Sequence, residues 1–267
     1  MRLKLNLKIQ DGKEIPLNYN YPLSAAIYKL LQFGSPTFSE FLHEVGFQEK
    51  GKSYKLFSFA LRFNKIPKID NNRFYLKSEN LTLFISSPLV DSFIKNFLIG
   101  TFENQIIEIN YNSIKAKFII EQVEAIPNPI FKTTNYFTLL SPIVISTKKE
   151  SNGKLIPHYF RYYDDINEIN RVLNQNLINK YKLVNNRAYE GGLLKLSWDT
   201  DYIDKRLRKN KNVTKLIKVV KNDGITVNIK ANEIPFTLSG DIELINIGYE
   251  CGFGSQNSFG FGLVDTN

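Results

Sequence analysis

Residues 3–9 read Leu3-Lys4-Leu5-Asn6-Leu7-Lys8-Ile9, so apolar and polar side chains alternate without a break. Because successive side chains of an extended chain point to opposite faces of a sheet, this pattern predicts a strand with one buried face. After a polar loop, Ile27, Leu30 and Leu31 recur at helical spacing behind Ser24, which is a predicted N-cap. The sequence therefore opens with a strand followed by a helix.

A second helix is predicted to begin near Thr37, because Thr37 and Glu40 have the spacing of a capping box, and to end at Gly46. Its predicted buried face consists of Phe38, Phe41, Leu42 and Val45. Three strands, an apolar helix and a last strand are then predicted, in that order, at 55–63, 73–77, 81–86, 89–99 and 114–123. This is the βαββαβ order of a ferredoxin-like domain with an elaborated first crossover.

The segment Ile126-Pro127-Asn128-Pro129 predicts a linker, since two prolines in three residues disfavour regular structure. The same order of elements then repeats more loosely, with predicted strands and helices at 136–146, 165–181, 192–198, 225–230, 241–247 and 260–264. The predicted fold class is α+β, with two tandem ferredoxin-like (RRM-like) domains. We place them at residues 1–125 and 135–267, joined by 126–134.

The chain carries a formal net charge of +9, from 35 Lys and Arg against 26 Asp and Glu. Such a positive field attracts polyanions, so nucleic acid is the first partner to consider and an anionic membrane the second. The single cysteine, Cys251, excludes an internal disulfide or a multi-cysteine zinc site and fits a cytoplasmic protein. The most apolar stretch, 137–145, is far shorter than the roughly 20 residues of a membrane-spanning helix.

One segment near the C-terminus is rich in glycine: residues 248–262 read GYECGFGSQNSFGFG and hold five of the chain's 15 glycines. Glycine allows close approach of a ligand to the backbone, and exposed N–H groups can cradle phosphate oxygens. The segment follows a predicted helix and precedes a strand, which is the reverse of the dinucleotide-binding order, and it lacks the Gly-Lys-Ser/Thr ending of a Walker loop. A tight turn with bulges is the alternative interpretation.

The pattern Gly-Phe-Gly-x-x-Asn-Ser-x-Gly-Phe-Gly at 252–262, preceded by Ile247-Gly248-Tyr249-Glu250, resembles the signature loop of the endoribonucleases that process CRISPR repeat RNA. These enzymes belong to the repeat-associated mysterious protein superfamily. Further segments resemble the family in order and spacing, at 17–23, 27–28, 41–44, 55–59 and 138–143. The resemblance covers most of the chain.

The resemblance implies two tandem ferredoxin-like domains and an endoribonuclease that needs no metal and no cofactor. Such an enzyme cuts the repeat RNA of the precursor transcript and leaves a 2′,3′-cyclic phosphate and a 5′-hydroxyl on guide RNAs. The implied partner is CRISPR repeat RNA; other subunits of an interference complex and a homodimer stay open. The alternative from a different class is a non-catalytic guide-RNA-binding subunit of that complex. A membrane-surface protein lacks a convincing basic amphipathic helix.

Attack by a ribose 2′-hydroxyl needs groups that move protons and a group that stabilises the charged phosphate. The two histidines are His43 and His158, and histidine is the usual proton-transfer group near neutral pH. His43 lies in the last turn of a predicted helix, where the dipole favours the imidazolium form that suits a general acid. Interaction with that dipole alone is the structural alternative, but the resemblance places the family's proton-transfer histidine at this Leu-His-Glu position.

The resemblance also assigns a catalytic tyrosine to Tyr28, which would orient the 2′-hydroxyl or the phosphate, although a packing role stays open. The lysine that stabilises transition-state charge matches Lys55 best. Lys52 is the alternative, and Lys50 also remains open, because the loop 48–52 departs from the family pattern.

The predicted RNA-binding residues lie in three places. The glycine-rich segment contributes Gly252, Gly254, Ser255, Gln256, Asn257, Ser258, Gly260 and Gly262. The basic and aromatic segment 157–163 contributes His158 and Arg161, and aromatic groups there could stack on unpaired bases, although a packed strand is the alternative. The basic run 205–218 contributes Lys205, Arg206, Arg208 and Lys209, which could follow phosphates or form a solvated loop. The adjacent Asp164 and Asp165 predict a helix start, and no carboxylate cluster predicts a metal site.

Overall fold

In the computed structural model, which describes residues 1–151, 153–220 and 226–266, the alternating segment forms a central strand. The first half contains β1 (Arg2–Asp11), β2 (Glu14–Pro16), α1 (Asn20–Gly34), α2 (Pro36–Glu44), β3 (Phe47–Glu49), β4 (Lys52–Tyr54), β5 (Ser58–Phe63), β6 (Lys68–Asp70), β7 (Arg73–Tyr75), β8 (Asn80–Ser86), a π-helical turn (Val90–Ile94), α3 (Lys95–Glu103), β9 (Ile106–Tyr111) and β10 (Ile114–Ile126). Leu3, Leu5 and Leu7 are buried, as their alternation predicts.

The main sheet of this half is antiparallel, with strand order β5-β8-β1-β10-β9. Its core strands β1, β5, β8 and β10 therefore take the second-third-first-fourth order of a ferredoxin-like βαββαβ unit. Helices α1 and α3 contribute the other layer of the core, through Ile27, Leu31 and Phe97 among others. The predicted fold of the first domain is confirmed, and β9 extends the sheet at one edge.

The strand predicted at 73–77 is confirmed as β7, although it lies in a small sheet with β2 and β6, outside the main sheet. The capping role predicted for Ser24 is wrong. Helix α1 begins at Asn20, so Ser24 lies inside the helix and its hydroxyl donates to the Ser258 carbonyl oxygen at 2.7 Å. Bonding to a distant loop thus replaces the predicted capping role.

Helix α2 begins at Pro36 and is capped by Ser35, whose hydroxyl accepts the Phe38 N–H, so Thr37 is not its cap. Its predicted end is confirmed, because Gly46 has a φ of +67°. Of the predicted buried face, Leu42 is fully buried, whereas Val45 is 50% exposed. The helix packs on α1 as an elaboration at the side of the domain, so only a narrow stripe of it is covered.

The second half repeats the arrangement. It contains β11 (Thr134–Leu139), β12 (Ser146–Ser151), β13 (Lys154–Tyr159), α4 (Ile166–Asn185), β14 (Lys195–Trp198), α5 (Thr200–Leu207), β15 (Thr214–Val220), β16 (Thr226–Asn232), β17 (Phe236–Ser239), α6 (Ile242–Cys251), a short 3₁₀ turn (Asn257–Phe259) and β18 (Val264–Thr266). The main sheet has the order β14-β17-β11-β18, which is again the ferredoxin-like order. Asp165 caps α4, as the sequence predicts.

Two insertions explain why this half is hard to interpret from sequence. The hairpin β12–β13 precedes α4, and α5 with the hairpin β15–β16 separates the second and third core strands. The predicted strand 225–230 is confirmed as a strand over its described part, which belongs to β16, but it is not the third core strand; Ile225 lies outside the described residues. The core strand in that position is β17, and the predicted strand 260–264 is the end of a loop that leads into β18.

Arg2 joins the two halves. Its guanidinium is buried, lies 3.8 Å from the Tyr249 ring centroid and donates to the Val264 and Tyr249 carbonyl oxygens at 2.8 and 3.3 Å. Burial lowers the pKa of Arg2 below its ordinary value. The first strand of the chain is therefore fixed to the last helix and the last strand.

Helices α1 and α3 cross closely at two glycines, and this contact gives a stability prediction. A Cβ at Gly100 would lie 1.8 Å from the Leu30 carbonyl oxygen. We expect Gly100→Ala to lower the free energy of unfolding by about 1–3 kcal/mol, because overpacking outweighs the better helix propensity of alanine. Urea unfolding measures the change, with Gly192→Ala as control because, in the part of the chain that the structure describes, nothing lies within 4 Å of a Cβ there. Equal or higher stability of the Gly100 variant would contradict a tight crossing.

Candidate active site

Tyr28 and His43 come together because α1 and α2 follow each other through the Ser35 cap. Their ring centroids are 5.2 Å apart and the planes meet at 88°, an edge-on contact. The Ser39 hydroxyl donates to the Tyr28 carbonyl oxygen at 3.0 Å and fixes the second helix against the first. Two residues that are 15 positions apart in sequence thus form one surface.

His43 is the most accessible member of this group. Its side chain is 65% exposed, and Nδ1 lies 2.7 Å from a carboxylate oxygen of Glu44. Among the described residues, the other ring nitrogen, Nε2, has no protein partner. It is therefore free to meet a ligand from solvent.

Lys55 completes the group. Its Nζ donates to the His43 carbonyl oxygen at 2.8 Å, which also satisfies a carbonyl at the C-terminus of α2. Burial lowers the pKa of Lys55, and the Glu44 carboxylate opposes that effect. A Cβ at Gly46 would lie 2.9 Å from the Lys55 side chain, so glycine leaves room for the lysine to reach back.

Tyr28 is half-buried, and its ring also meets Phe57 edge-on at 5.7 Å. Burial raises the pKa of the Tyr28 hydroxyl above its ordinary value. The phenol thus stays protonated across the physiological range and can donate a hydrogen bond.

The alternative lysines lie on the hairpin β3–β4. Lys50 is exposed in the turn with a φ of +48°, and Lys52 is exposed opposite Glu49. Lys52 lines the same cleft as Lys55. The structure thus brings Lys55 into contact with His43 and leaves Lys52 nearby on the wall.

The glycine-rich loop follows α6 and folds back on itself. Gly254 and Gly262 have φ values of +73° and +75°, and a Cβ at either would lie 2.2 Å or less from a backbone oxygen. The Phe253 N–H donates to Gly262, and the Ser255 N–H donates to Val144. These close backbone contacts require glycine, which explains the spacing seen in the sequence.

The first domain anchors this loop. Three of its side chains donate hydrogen bonds of 2.7–2.9 Å to loop carbonyl oxygens: Asn20 to Phe259, Ser24 to Ser258 and Ser58 to Phe261. The second domain adds Lys180 of α4, whose Nζ donates to Gly252, Gly254 and the Asn257 side chain. The loop is held by both domains at their junction.

A cleft of about 430 Å³ separates the loop from the hairpin β3–β4. Its loop wall is formed by Ser255–Phe259, and its basic lining is Lys52, Lys55, Lys148 and Lys180. Polar groups and positive charge thus face each other across a cleft whose lining includes Lys55, the residue that contacts His43. This arrangement is suited to a phosphate backbone.

A larger cleft of about 770 Å³ lies on the other side of the loop, where Gly260 forms part of its wall. Aromatic and basic side chains line it, including Tyr19, Phe63, Phe74, Arg62, Arg206 and Lys215. Aromatic faces with neighbouring cations are typical of surfaces that bind single-stranded nucleic acid.

Both halves of the chain match family models of known proteins. Residues 14–124 match the family described as "CRISPR-associated protein Cas6, N-terminal", and residues 125–266 match "CRISPR associated protein Cas6, C-terminal". The chain belongs to the Cas6 family. The resemblance found in the sequence is thereby confirmed.

The chain is 29% identical to "CRISPR-associated endoribonuclease Cas6 1" of Methanocaldococcus jannaschii, over 99% of this chain and 92% of that protein. A solved structure titled "CRISPR associated protein Cas6" is 25% identical, with a TM-score of 0.74 and coverage of 100% of this chain and 99% of that chain. A second structure, of a Cas6-related protein from Pyrococcus furiosus, has a TM-score of 0.79 at 22% identity and covers 100% and 98% of the two chains. The predicted tandem ferredoxin-like fold is confirmed.

The other predicted RNA-binding residues of this Cas6 chain lie in separate places. Arg206 lines the larger cleft, whereas Lys205, Arg208 and Lys209 surround a shallow depression at the exposed end of α5, together with acidic Asp201 and Asp204. Their role in RNA binding stays a prediction.

His158 lies on β13 of the inserted hairpin β12–β13, and Arg161 follows that hairpin. His158 pairs with Thr147 across β12–β13 and meets the Phe160 ring edge-on at 4.8 Å. The Arg161 guanidinium donates to the Thr214 hydroxyl at 3.3 Å. Their contacts with RNA stay a prediction.

Lys148 and Lys180 are site residues that sequence reasoning missed in this Cas6 chain. Lys180 carries a detectable signal, because it falls on the apolar stripe of α4 with Ile169, Leu173 and Leu177. A lysine at a buried helical position is unusual and points to a specific partner. Lys148 lies on an exposed strand and has no comparable signal.

Within residues 1–151, 153–220 and 226–266, no group of three or more His, Cys, Asp or Glu side chains is placed to hold a metal ion. No helix in the same ranges is long and apolar enough to span a membrane.

Proposed function

We propose that this Cas6 endoribonuclease cuts CRISPR repeat RNA within a precursor transcript, without a metal ion, by attack of a 2′-hydroxyl on the adjacent phosphate. The products are a 2′,3′-cyclic phosphate and a 5′-hydroxyl. The observation that supports this most directly is the junction of Tyr28, His43 and Lys55. These residues supply a proton donor, a cation for the phosphate charge and a hydrogen-bond donor.

His43 is the proposed proton-transfer residue. Its exposed Nε2 faces solvent, while Nδ1 is held by Glu44 at 2.7 Å. In the forward step the 2′-oxygen bonds to phosphorus and its proton passes to solvent water, while a protonated His43 gives its proton to the departing 5′-oxygen as the P–O bond breaks. A group in this role typically contributes about 10²–10⁴-fold to the rate.

Lys55 and Tyr28 act on the phosphate. The Lys55 ammonium stabilises the negative charge that grows on the non-bridging oxygens, and its contact with the His43 carbonyl keeps both groups together. The Tyr28 hydroxyl, held neutral by burial, donates a hydrogen bond that orients the 2′-hydroxyl or the phosphate. Lys52 is the alternative to Lys55 in this proposal.

The cleft beside Lys55 holds the RNA backbone around the scissile phosphate. The loop wall Ser255–Ser258 offers hydroxyl, amide and backbone donors, and Lys52 and Lys148 add charge on the other walls. Repeat RNA is thus the proposed substrate, and its products are the guide RNAs of an interference complex.

Cleavage in EDTA tests this function. The wild-type protein is incubated with RNA copied from the CRISPR repeat of the same genome, and the product ends are mapped. We expect one cut per repeat in EDTA, with a 2′,3′-cyclic phosphate on the upstream product. A second RNA with a single 2′-deoxy nucleotide before the mapped cut is the control, and it should bind but stay intact.

Cutting of the deoxy RNA, or cutting that requires added Mg²⁺, would contradict attack by the 2′-hydroxyl without metal. Tight binding with no cutting of the natural RNA would instead support the non-catalytic guide-RNA-binding subunit.

A further inference from the structure

Lys180 is a buried lysine without a carboxylate partner among the described residues. The residue is 2% exposed, and its Nζ lies within hydrogen-bond distance of three oxygens: Gly252 at 2.7 Å, Gly254 at 2.8 Å and the Asn257 side chain at 2.8 Å. All three are neutral acceptors on the glycine-rich loop. Burying a charge with neutral partners alone is costly, so an apolar residue would serve packing better.

An ammonium group has three N–H donors, and here each has one acceptor. A neutral amine has two donors and a lone pair, so loss of one proton would leave one loop oxygen facing a lone pair. The three bonds therefore require the charged form. Burial opposes that charge and lowers the pKa of Lys180 to about 8, with a smaller opposite effect from Cys251.

The bonds of Lys180 extend through the loop by way of Asn257. With its Oδ1 held by Lys180, the Asn257 amide donates to the Phe253 and Phe261 carbonyl oxygens at 3.2 and 2.9 Å. Lys180 thus fixes one side of the loop and, through Asn257, the closure of its two ends. Among the described residues, the Gln256 and Ser258 N–H groups of the same loop donate to no protein acceptor.

We propose that Lys180 is a positioning residue for RNA: its ammonium holds the carbonyl oxygens of the glycine-rich loop inward, so that the N–H groups of Gln256 and Ser258 face the RNA backbone. This inference rests on the proposed function and deepens it. Lys180 does not contact the reacting atoms. It sets the conformation of a phosphate-binding wall and places a fixed positive charge behind it.

The test uses a background variant, His43→Ala with Lys55→Met, in which cleavage is removed and Lys55 no longer titrates. Binding of repeat RNA is measured with and without Lys180→Met. We expect the Lys180 substitution to raise Kd by about 10-fold or more, since it removes three buried charge-assisted hydrogen bonds. Arg171→Gln is the control, because it removes one exposed positive charge from the same helix and should leave Kd unchanged.

Salt dependence separates positioning from direct contact. A lysine that contacts a single-stranded phosphate reduces the slope of log Kd against log salt by about 0.7 when removed. We expect this reduction for Lys148→Met, which removes an exposed lysine of the cleft, and no reduction for Lys180→Met. A reduced slope for Lys180→Met would make Lys180 a direct phosphate ligand and overturn the proposal.

The pH dependence provides a test that needs no substitution at Lys180. RNA affinity of the background variant should fall as pH rises from 7 to 8.8, with a midpoint near the pKa of about 8. The titratable groups around Lys180 are Cys251 on α6, Tyr54 on β4 and, lining the same cleft, Lys52 and Lys148. Burial raises the pKa of Cys251 to about 12 and raises that of Tyr54, so neither changes charge in this window.

As the pH rises, the contribution of Lys180 to the free energy of unfolding should increase while the affinity for RNA falls. Because the folded-state pKa of Lys180 lies below the ordinary 10.5, the unfolded chain binds more protons between about pH 8 and 10.5. The contribution of Lys180 to the free energy of unfolding therefore rises with pH in that window. A loss of RNA affinity alongside this gain distinguishes positioning from a purely structural role.

The outcomes separate the two proposals. If wild type neither binds nor cuts repeat RNA, the proposed function fails. If wild type cuts, but Lys180→Met folds and binds as tightly as its background, only the role of Lys180 is overturned. If Lys180→Met does not fold, the pH profile decides, and a flat profile between pH 7 and 8.8 overturns the proposal.

Discussion

Replacing His43 with alanine is expected to lower the single-turnover rate of RNA cleavage by about 10²–10⁴-fold, the usual contribution of a positioned proton donor. The affinity for RNA should change by less than about 3-fold, because exposed substitutions outside the binding wall cost little free energy. His43 is suited to this test, since its side chain is 65% exposed and contributes little to packing. A rate measured at saturating RNA, beside a Kd, separates the two effects.

Two further measurements refine that result. Glu40→Ala removes an exposed polar side chain from the same helix and should cut at the wild-type rate. Added imidazole should restore part of the lost activity to His43→Ala, because the accessible site leaves room for a diffusible proton donor. A variant that cuts as fast as wild type would remove His43 from the mechanism, and Tyr28 with Lys55 would then have to account for proton transfer.

The sequence predicts the first domain well because its signals are strictly local. Alternation in β1 and helical spacing in α1 both report one buried face, and both are confirmed. The errors occur where a contact with a residue distant in sequence determines the role of a side chain. Ser24 has the chemistry of a cap, yet its hydroxyl bonds to Ser258, 234 positions away. Nothing in the local sequence around Ser24 encodes that partner.

In the second domain, insertions hide the core. The hairpin β15–β16 is as rich in β-branched residues as a core strand, so periodicity alone favours 225–230 over the shorter β17. Only strand pairing distinguishes them, because β17 lies between β11 and β14 whereas β16 pairs with β15. Pairing partners are a tertiary property that one sequence does not reveal.

The candidate site likewise has one part that the sequence predicts and one part that it does not. The family resemblance predicts Tyr28, His43 and Lys55, and the structure places His43 in contact with each of the other two because two consecutive helices and the following hairpin are close in sequence. Lys180 comes from the other domain, and its partners are carbonyl oxygens, which have no sequence signature. Its burial on α4 is visible in the helical pattern, but its target is not.

The second large effect is expected on the free energy of unfolding, for a substitution at Gly254 of the glycine-rich loop. Its φ is +73°, and a Cβ there would lie 2.2 Å from the Val144 carbonyl oxygen. That oxygen already accepts the Ser255 N–H at 2.7 Å, so it cannot move away without breaking this bond. Gly254→Ala therefore combines left-handed strain of about 1–2 kcal/mol with overpacking of about 1–3 kcal/mol.

We accordingly expect Gly254→Ala to lower the free energy of unfolding by about 2–5 kcal/mol, from the sum of these two contributions. Gly153→Ala is the matched control: its φ is +70°, but no other described residue comes within 4 Å of a Cβ there, so it should show the strain alone. Urea unfolding of both variants isolates the contact with Val144 as their difference. Equal losses would show that backbone strain accounts for the whole effect.

The same two variants also test whether the conformation of the glycine-rich loop affects RNA binding. At a temperature where both variants are folded, Gly254→Ala must displace either the loop or Val144, and the Gly254 carbonyl that Lys180 holds at 2.8 Å moves with the loop. We expect weaker binding of repeat RNA for Gly254→Ala and wild-type binding for Gly153→Ala. Wild-type affinity in a destabilised Gly254→Ala protein would mean that the loop supports the junction of the two domains and that RNA binding depends on other walls of the clefts.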